Sequence, residues 1–310
     1  MRFFWSAGAA LLVVAVASGC TSSQPVTGRF TAVIPLPSSS APSTAATPLP
    51  ADLPADLSVE IEQERSDYGI RQLQVRVANG GATPYAVTNV TFGSPNFVVP
   101  VGNTEPGRVL PALSLDFPVL LPAPVCSGDR SASPIVTFDW SAGAETGRST
   151  VVPADPLGAM KRINGEDCLA ESVAGIVDIA PAAHLRVDGS GAASVAHIDL
   201  SLTPTGGAGS VVIDGVGPTT LLAPAGGALS WPLALAVDAA SAPSSLTLDV
   251  EPGRCEPHVI AEDKRGTYLP LTVTVQPAGV SGTYYLPLGD AEKAEVYSWL
   301  ADHCGFGASP

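Results

Sequence analysis

The sequence contains little positive charge and few charged residues of any kind. Lysine and arginine number 15 against 29 aspartate and glutamate residues, so the 310-residue chain has a formal net charge of −14. This balance repels the phosphates of nucleic acids and anionic lipid headgroups. Only 14% of the residues are charged and 45% are hydrophobic, which is too apolar for a chain that is disordered throughout. We therefore expect a folded protein with no nucleic-acid partner.

The sequence also lacks the short motifs that carry common chemistries. It contains no Gly-x-Ser-x-Gly elbow, no Ser-x-x-Lys pair, no Walker-type phosphate loop, no His-Glu-x-x-His motif and no EF-hand spacing. The four cysteines in its later part are too far apart for a zinc knuckle. From these absences we expect no cofactor and no bound metal, and we assign no catalytic residue.

Residues 1–19 have the organisation of a bacterial export signal. Arg2 is their only charged residue, an apolar run follows, and small residues precede Cys20. The apolar run is shorter than the roughly 20 residues that a membrane-spanning helix needs, which disfavours an uncleaved anchor. The segment Ala17-Ser18-Gly19-Cys20 resembles the lipobox of bacterial lipoproteins. The resemblance implies that Cys20 is acylated, with palmitate among the chains, and that the protein sits at the extracytoplasmic face of the cell membrane. It is secreted if the lipobox is not used.

The chain after Cys20 changes character twice. Residues 20–56 are mainly serine, threonine, alanine and proline with almost no charge, a composition typical of an extended tether. Beyond them, apolar and polar residues alternate in short runs separated by glycine-containing turns, as at Leu73, Val75 and Val77. This pattern predicts a mostly β protein with two tandem immunoglobulin-like β-sandwich domains. We expect the domains at 57–170 and 182–306, joined in a fixed orientation by a connector at 171–181.

Four cysteines follow the tether, and an even number in an exported chain predicts disulfides. Three pairings are open to four cysteines, and internal similarity selects one of them. Leu-Ser-Leu-Asp-Phe precedes one cysteine just as Leu-Thr-Leu-Asp-Val precedes another, which indicates a divergent duplication. We therefore predict two disulfides, each joining a strand to a short C-terminal helix: Cys126–Cys168 and Cys255–Cys304.

Each half is expected to end in a short helix. In the second half, Asp290 is placed to cap a helix that leads to Cys304. In the first half, Asp155 is placed to cap a helix whose Leu157 and Met160 face the sheet, and Asn164-Gly165 is expected to interrupt it.

One group of residues in the second half is a candidate site. Two histidines and several carboxylates flank the predicted second disulfide, and this combination suits a divalent metal or a pH-sensitive patch. The alternative, which we favour, is a charged hairpin turn with His258 pointing to solvent on a strand. His184 and His197 are also expected to face solvent near strand edges. The members of this predicted patch are Glu256, His258, Glu262, Asp263, Asp302 and His303.

The segment from Cys255 through Thr267, with the helix that leads to Cys304, is similar to two-domain lipoproteins and secreted proteins of high-GC Gram-positive bacteria. That resemblance implies a location and no particular activity. We expect a lipid-anchored binding, interaction or structural module of the cell envelope, whose partner is an envelope protein or a surface ligand. The alternative is an envelope enzyme or accessory factor that uses the predicted patch. A solute-binding lipoprotein is disfavoured because the βαβ alternation is missing.

Overall fold

The computed structural model describes residues 52–261 and 263–306. The predicted leader, Cys20 and most of the tether lie outside the described residues, as does Glu262. Within the described ranges, no helix has the length and apolarity needed to cross a membrane.

Strands dominate the described chain, and three α-helices interrupt them. The elements, in chain order, are β1 (Leu57–Glu62), β2 (Gln72–Asn79), β3 (Tyr85–Gly93), β4 (Val101–Asn103), β5 (Gly107–Val109), β6 (Ser114–Leu120), β7 (Ile135–Ala142), β8 (Glu145–Val151), α1 (Ala159–Ala174), β9 (Val177–Pro181), β10 (Arg186–Asp188), β11 (Val195–Pro204), β12 (Ser210–Val216), β13 (Leu222–Pro224), β14 (Trp231–Asp238), β15 (Ser244–Pro252), α2 (Pro257–Ala261), β16 (Tyr268–Gln276), β17 (Val280–Pro287) and α3 (Asp290–His303).

Two hydrophobic cores each lie between two antiparallel sheets. The first core is enclosed by the sheets β1-β2-β6 and β4-β3-β7-β8, with β5 beside β3. The second is enclosed by β10-β11-β15-β13, with β9 beside β11, and by β14-β12-β16-β17. The registers place apolar residues opposite one another, as Val77 lies opposite both Val59 and Leu115. The predicted mostly β architecture of sandwich domains is confirmed.

Both predicted disulfides are present. Cys126 bonds to Cys168 in α1, and Cys255 bonds to Cys304 at the end of α3. The first cysteine of each pair lies in the loop after a strand, β6 or β15, and not in the strand itself. Each bond therefore ties a loop of one sandwich to the helix that follows its last strand.

Helix α1 belongs to both cores. Its first half contributes Met160 and Ile163 to the first core, and its second half contributes Leu169 and Val173 to the second. The segment expected as a connector is not a separate link, because its start completes α1 and its end forms β9, which pairs with β11. The helix thus fastens the two sandwiches to each other.

Three expectations for α1 were wrong. The helix continues through Asn164 and Gly165, and Leu157 is 74% exposed because it precedes the helix in a turn. The N-cap residue of α1 is Gly158 and not Asp155, although the Asp155 carboxylate does accept bonds from the first two backbone N–H groups of the helix, those of Ala159 and Met160, at 2.7 and 3.0 Å. The helix persists across the glycine because its flanking turns are anchored in two different cores.

Candidate functional site

The predicted patch is not assembled into a metal site among the described residues. His258 is exposed and lies on α2, not on a strand. Pro257 begins this short helix two residues after Cys255. No described member of the patch belongs to a group of three ligand atoms within 4.8 Å of one another. The alternating strand on which the prediction rested does not exist at this position.

Three other members of the patch have separate structural partners, while the side chain of Glu256 is exposed. Asp263 accepts bonds from Thr220 at 2.6 Å and from the backbone of Gly266 at 2.7 Å, which closes the predicted charged turn. Asp302 accepts a bond from a backbone N–H at 2.8 Å, and Nδ1 of His303 donates to the backbone oxygen of Ser194 at 3.1 Å. These bonds hold α3 and the neighbouring loops in place.

The other two histidines differ in exposure. The side chain of His184 is 75% exposed and lies 2.8 Å from Glu295. The side chain of His197 is only 13% exposed, because carboxylates of Asp249 and Asp188 lie at 2.7 and 3.1 Å from its two ring nitrogens. His197 thus lies on the outer face of its sheet, as expected, but the neighbouring carboxylates cover most of its ring.

A cluster of three acidic residues in the first sandwich has the spacing of a metal site. Ligand oxygens of Glu62, Glu64 and Asp116 lie within 4.8 Å of one another. Arg76 already occupies this neighbourhood, with bonds of 2.7 and 2.9 Å to Asp116 and an ion pair to Glu62. The guanidinium supplies the positive charge that the carboxylates need, so the cluster is a cross-strand ion network.

A groove of about 550 Å³ lies between α1 and β17, and we call it the α1–β17 groove. The helix side is one face of α1, since its residues recur at spacings of one and three. The strand side is the start of β17, and the full lining comprises Leu157, Gly158, Lys161, Arg162, Gly165, Glu166, Leu169 and Val280–Thr283. The volume is in the range of small-ligand sites.

Gly165 lies on the helix wall of the α1–β17 groove. It lies in the middle of a 16-residue helix, and a Cβ atom built on it would meet no atom within 4 Å. Gly282, across the groove, is different because its Cβ would come within 2.9 Å of Leu169. A side chain at 282 would displace the Leu169 methyl group, whereas no contact opposes a side chain at 165.

The mouth of the groove combines apolar and basic side chains. Leu157 and Val280 are 74% and 50% exposed and supply its apolar surface. Lys161 is exposed and has no ion pair among the described residues. Arg162 is held in place by a 2.8 Å bond to Gln63 and by the ring of Tyr68, 4.5 Å from its guanidinium carbon.

A cluster of arginines and tyrosines beside the groove fixes its two walls. The guanidinium of Arg265 lies 3.6 Å from the ring centre of Tyr285 on β17 and 4.7 Å from that of Tyr68 in the first sandwich. Glu166 on α1 reaches both Arg162 and Arg265, at 3.5 and 3.7 Å. The contacts connect α1, β17 and the β1–β2 loop, so the width of the groove is set by the packing of the two sandwiches.

Sequence reasoning missed the groove, because its walls are more than 100 residues apart in the chain. One signal was present at Gly165, which predicts the end of a helix in the sequence but lies inside one in the structure.

Comparisons with known proteins do not assign this chain to a family. No protein-family model matches, and no curated protein matches. Among solved structures, a red sea bream transglutaminase is 13% identical over 77% of this chain and 32% of its own, with a TM-score of 0.23. The YadV chaperone is 12% identical over 74% of this chain and all of its own, with a TM-score of 0.19. The CBD12 unit of CALX1.2 is 12% identical over 67% of this chain and 76% of its own, with a TM-score of 0.20. Likeness this remote carries no argument about function, and the chain spans about a third of the transglutaminase.

Proposed function

We propose that the chain is a lipoprotein acylated at Cys20 and held at the extracytoplasmic face of the cell membrane. Its folded part acts as a binding module of the cell envelope, and its ligand occupies the α1–β17 groove. The export signal and the lipobox-like segment support the location. Two disulfides support it too, because such bonds persist in oxidising compartments outside the cytoplasm.

Gly165 is the observation that carries the binding role. Glycine inside a helix costs about 1 kcal/mol relative to alanine, because the unfolded chain loses more freedom on folding. At position 165 no neighbouring atom lies close enough to exclude a larger side chain, so packing gives no reason for the glycine. Departures from local rules without a packing reason are expected at functional sites. Because residue 165 has no side chain, the groove stays open. Occupancy of the groove by a ligand accounts for a glycine at a position where packing does not require one.

The test uses photocrosslinking in cells that carry the anchored protein. A photoreactive phenylalanine replaces Leu157 at the mouth of the groove, and a matched probe replaces Leu229, which is 89% exposed on the loop between β13 and β14. We expect capture of one envelope component, protein or other surface ligand, from position 157 and not from position 229.

Two variants connect that capture to the groove. Gly165→Phe fills the groove and is expected to abolish crosslinking from position 157, and Gly165→Ala, which places one methyl group in the groove, is expected to lower it to a smaller extent. Cys20→Ala is expected to release the protein from the membrane and to lower capture. Equal capture in the Phe and Ala variants contradicts a ligand in the groove, and unchanged membrane attachment of the Cys20→Ala variant contradicts the lipid anchor.

A further inference from the structure

The strand side of the α1–β17 groove is the free edge of a sheet. Strand β17 pairs with β16 along Val280–Pro287, and no second strand of the described chain pairs with it. An edge strand presents N–H and C=O groups that are able to pair with another extended chain. Addition of a strand to such an edge is a recurring mode of peptide recognition, in which main-chain bonds supply affinity.

The residues of β17 that line the groove have no strand paired on their outer side among the described residues. Ser281, Gly282 and Thr283 carry small side chains, and the described residues give their outer backbone groups no hydrogen-bond partner. Four residues from Val280 to Thr283 extend over about 13 Å in a strand. This length suits three or four residues of an added peptide, and Leu169 lies against one sheet face of this segment, at the Cβ position of Gly282.

The side chains around the groove indicate which apolar and charged groups an added peptide carries. Leu157 and Val280 offer apolar contacts, while Lys161 offers a positive charge without an ion pair among the described residues. An unpaired cation on a chain of net charge −14 favours an anionic partner at that point. No aromatic side chain lines the groove, so a stacking surface for a sugar ring is missing from the described lining.

Building on the proposed function, we propose that the ligand is an extended polypeptide segment that adds as a strand to β17. Its apolar side chain contacts Leu157 and Val280, and a carboxylate, from an acidic residue or a chain terminus, pairs with Lys161. The groove thereby selects acidic, extended peptides over neutral and basic ones. Main-chain bonds to Val280–Thr283 set the direction of the peptide along α1.

The experiment measures binding of defined peptides to the mature chain. The probes are five-residue peptides of alternating valine and threonine with acetylated and amidated ends, and they carry Asp, Asn or Lys at one terminal position. We expect the Asp peptide to bind most tightly and to slow hydrogen exchange of the amides of Val280–Thr283. Methylation of alternate peptide nitrogens is expected to abolish binding, because the main-chain bonds are lost.

Charge selection is tested at Lys161, with Lys293 on α3 as the matched control. Lys161→Gln is expected to weaken binding of the Asp peptide about fivefold and to leave binding of the Asn peptide unchanged, in line with one partly exposed ion pair. Lys293→Gln is expected to change neither. Both variants keep the fold, since neither lysine has an ion pair among the described residues.

The outcomes separate this inference from the proposed function. Peptide binding that is insensitive to Lys161, or that leaves exchange at β17 unchanged, overturns the inference. If no peptide binds while the probe at Leu157 captures a glycan or lipid, the inference fails and the binding role of the groove stands. If neither peptides nor the cellular probe report an occupant, both fail.

Discussion

Glu292 makes the stability of the second sandwich dependent on pH. This residue lies in the first turn of α3, its side chain is fully buried, and neither of its carboxylate oxygens has a hydrogen-bond partner among the described residues. Burial, and then the negative charges of Glu295 and Asp199, raise its pKa from 4.5 to about 7. The folded protein therefore holds a neutral carboxylic acid at a pH where the unfolded chain is ionised.

The sign follows from proton counting. Between pH 4.5 and about 7 the folded state binds a proton at Glu292 that the unfolded state has released, so the free energy of unfolding falls as pH rises. One pKa unit corresponds to about 1.4 kcal/mol, so the full shift corresponds to about 3 kcal/mol. The loss is complete above pH 7 and absent below the unfolded pKa.

The perturbation is Glu292→Gln, which keeps the shape and removes the ionisation. At pH 5 we expect the variant and the parent to unfold at similar urea concentrations. At pH 8 the variant is expected to be more stable by about 3 kcal/mol, because only the parent carries an ionised carboxylate in its folded core. Urea unfolding at four pH values measures the difference, and it is followed by tryptophan fluorescence, to which buried Trp299 on the same helix contributes.

The matched control is Glu171→Gln on the exposed face of α1, which is expected to leave the pH profile unchanged. Parallel pH profiles for the parent and the Glu292→Gln variant would refute the reasoning, since they mean that Glu292 is solvated or paired in the folded state.

Three further predictions concern packing and backbone. Replacing either disulfide by a pair of alanines is expected to cost about 4 kcal/mol in urea unfolding, because the closed loops span 42 and 49 residues; a loss below about 1 kcal/mol contradicts the chain-entropy reasoning. Gly165→Ala is expected to raise the free energy of unfolding by about 0.5 to 1 kcal/mol, and a loss of stability means that the helix needs glycine there. Arg265→Lys, which keeps the charge but loses the planar stack on Tyr285, is expected to speed hydrogen exchange in α1. Unchanged exchange contradicts the role of Arg265 in holding the two sandwiches together.

The sheets and disulfides were predictable because their signals are local or repeated. Alternation at Val75 and Val77 marks a half-buried strand whatever its partners are, and the duplicated segments selected one cysteine pairing out of three. The position of His258 was not predictable in this way. A five-residue helix begins at Pro257, too short for a helical period to appear, so the local sequence was extended as a strand.

Helix α1 shows why the candidate site escaped the sequence. Propensity reasoning ends a helix at Asn164-Gly165, because both residues favour turns. In the structure, Ile163 is buried in one core and Leu169 in the other, and this packing outweighs a cost of about 1 kcal/mol at the glycine. The conflict between propensity and structure is therefore located at a glycine on the helix wall of the α1–β17 groove. Long-range packing decides that the helix continues there, and such packing is visible only in the folded chain.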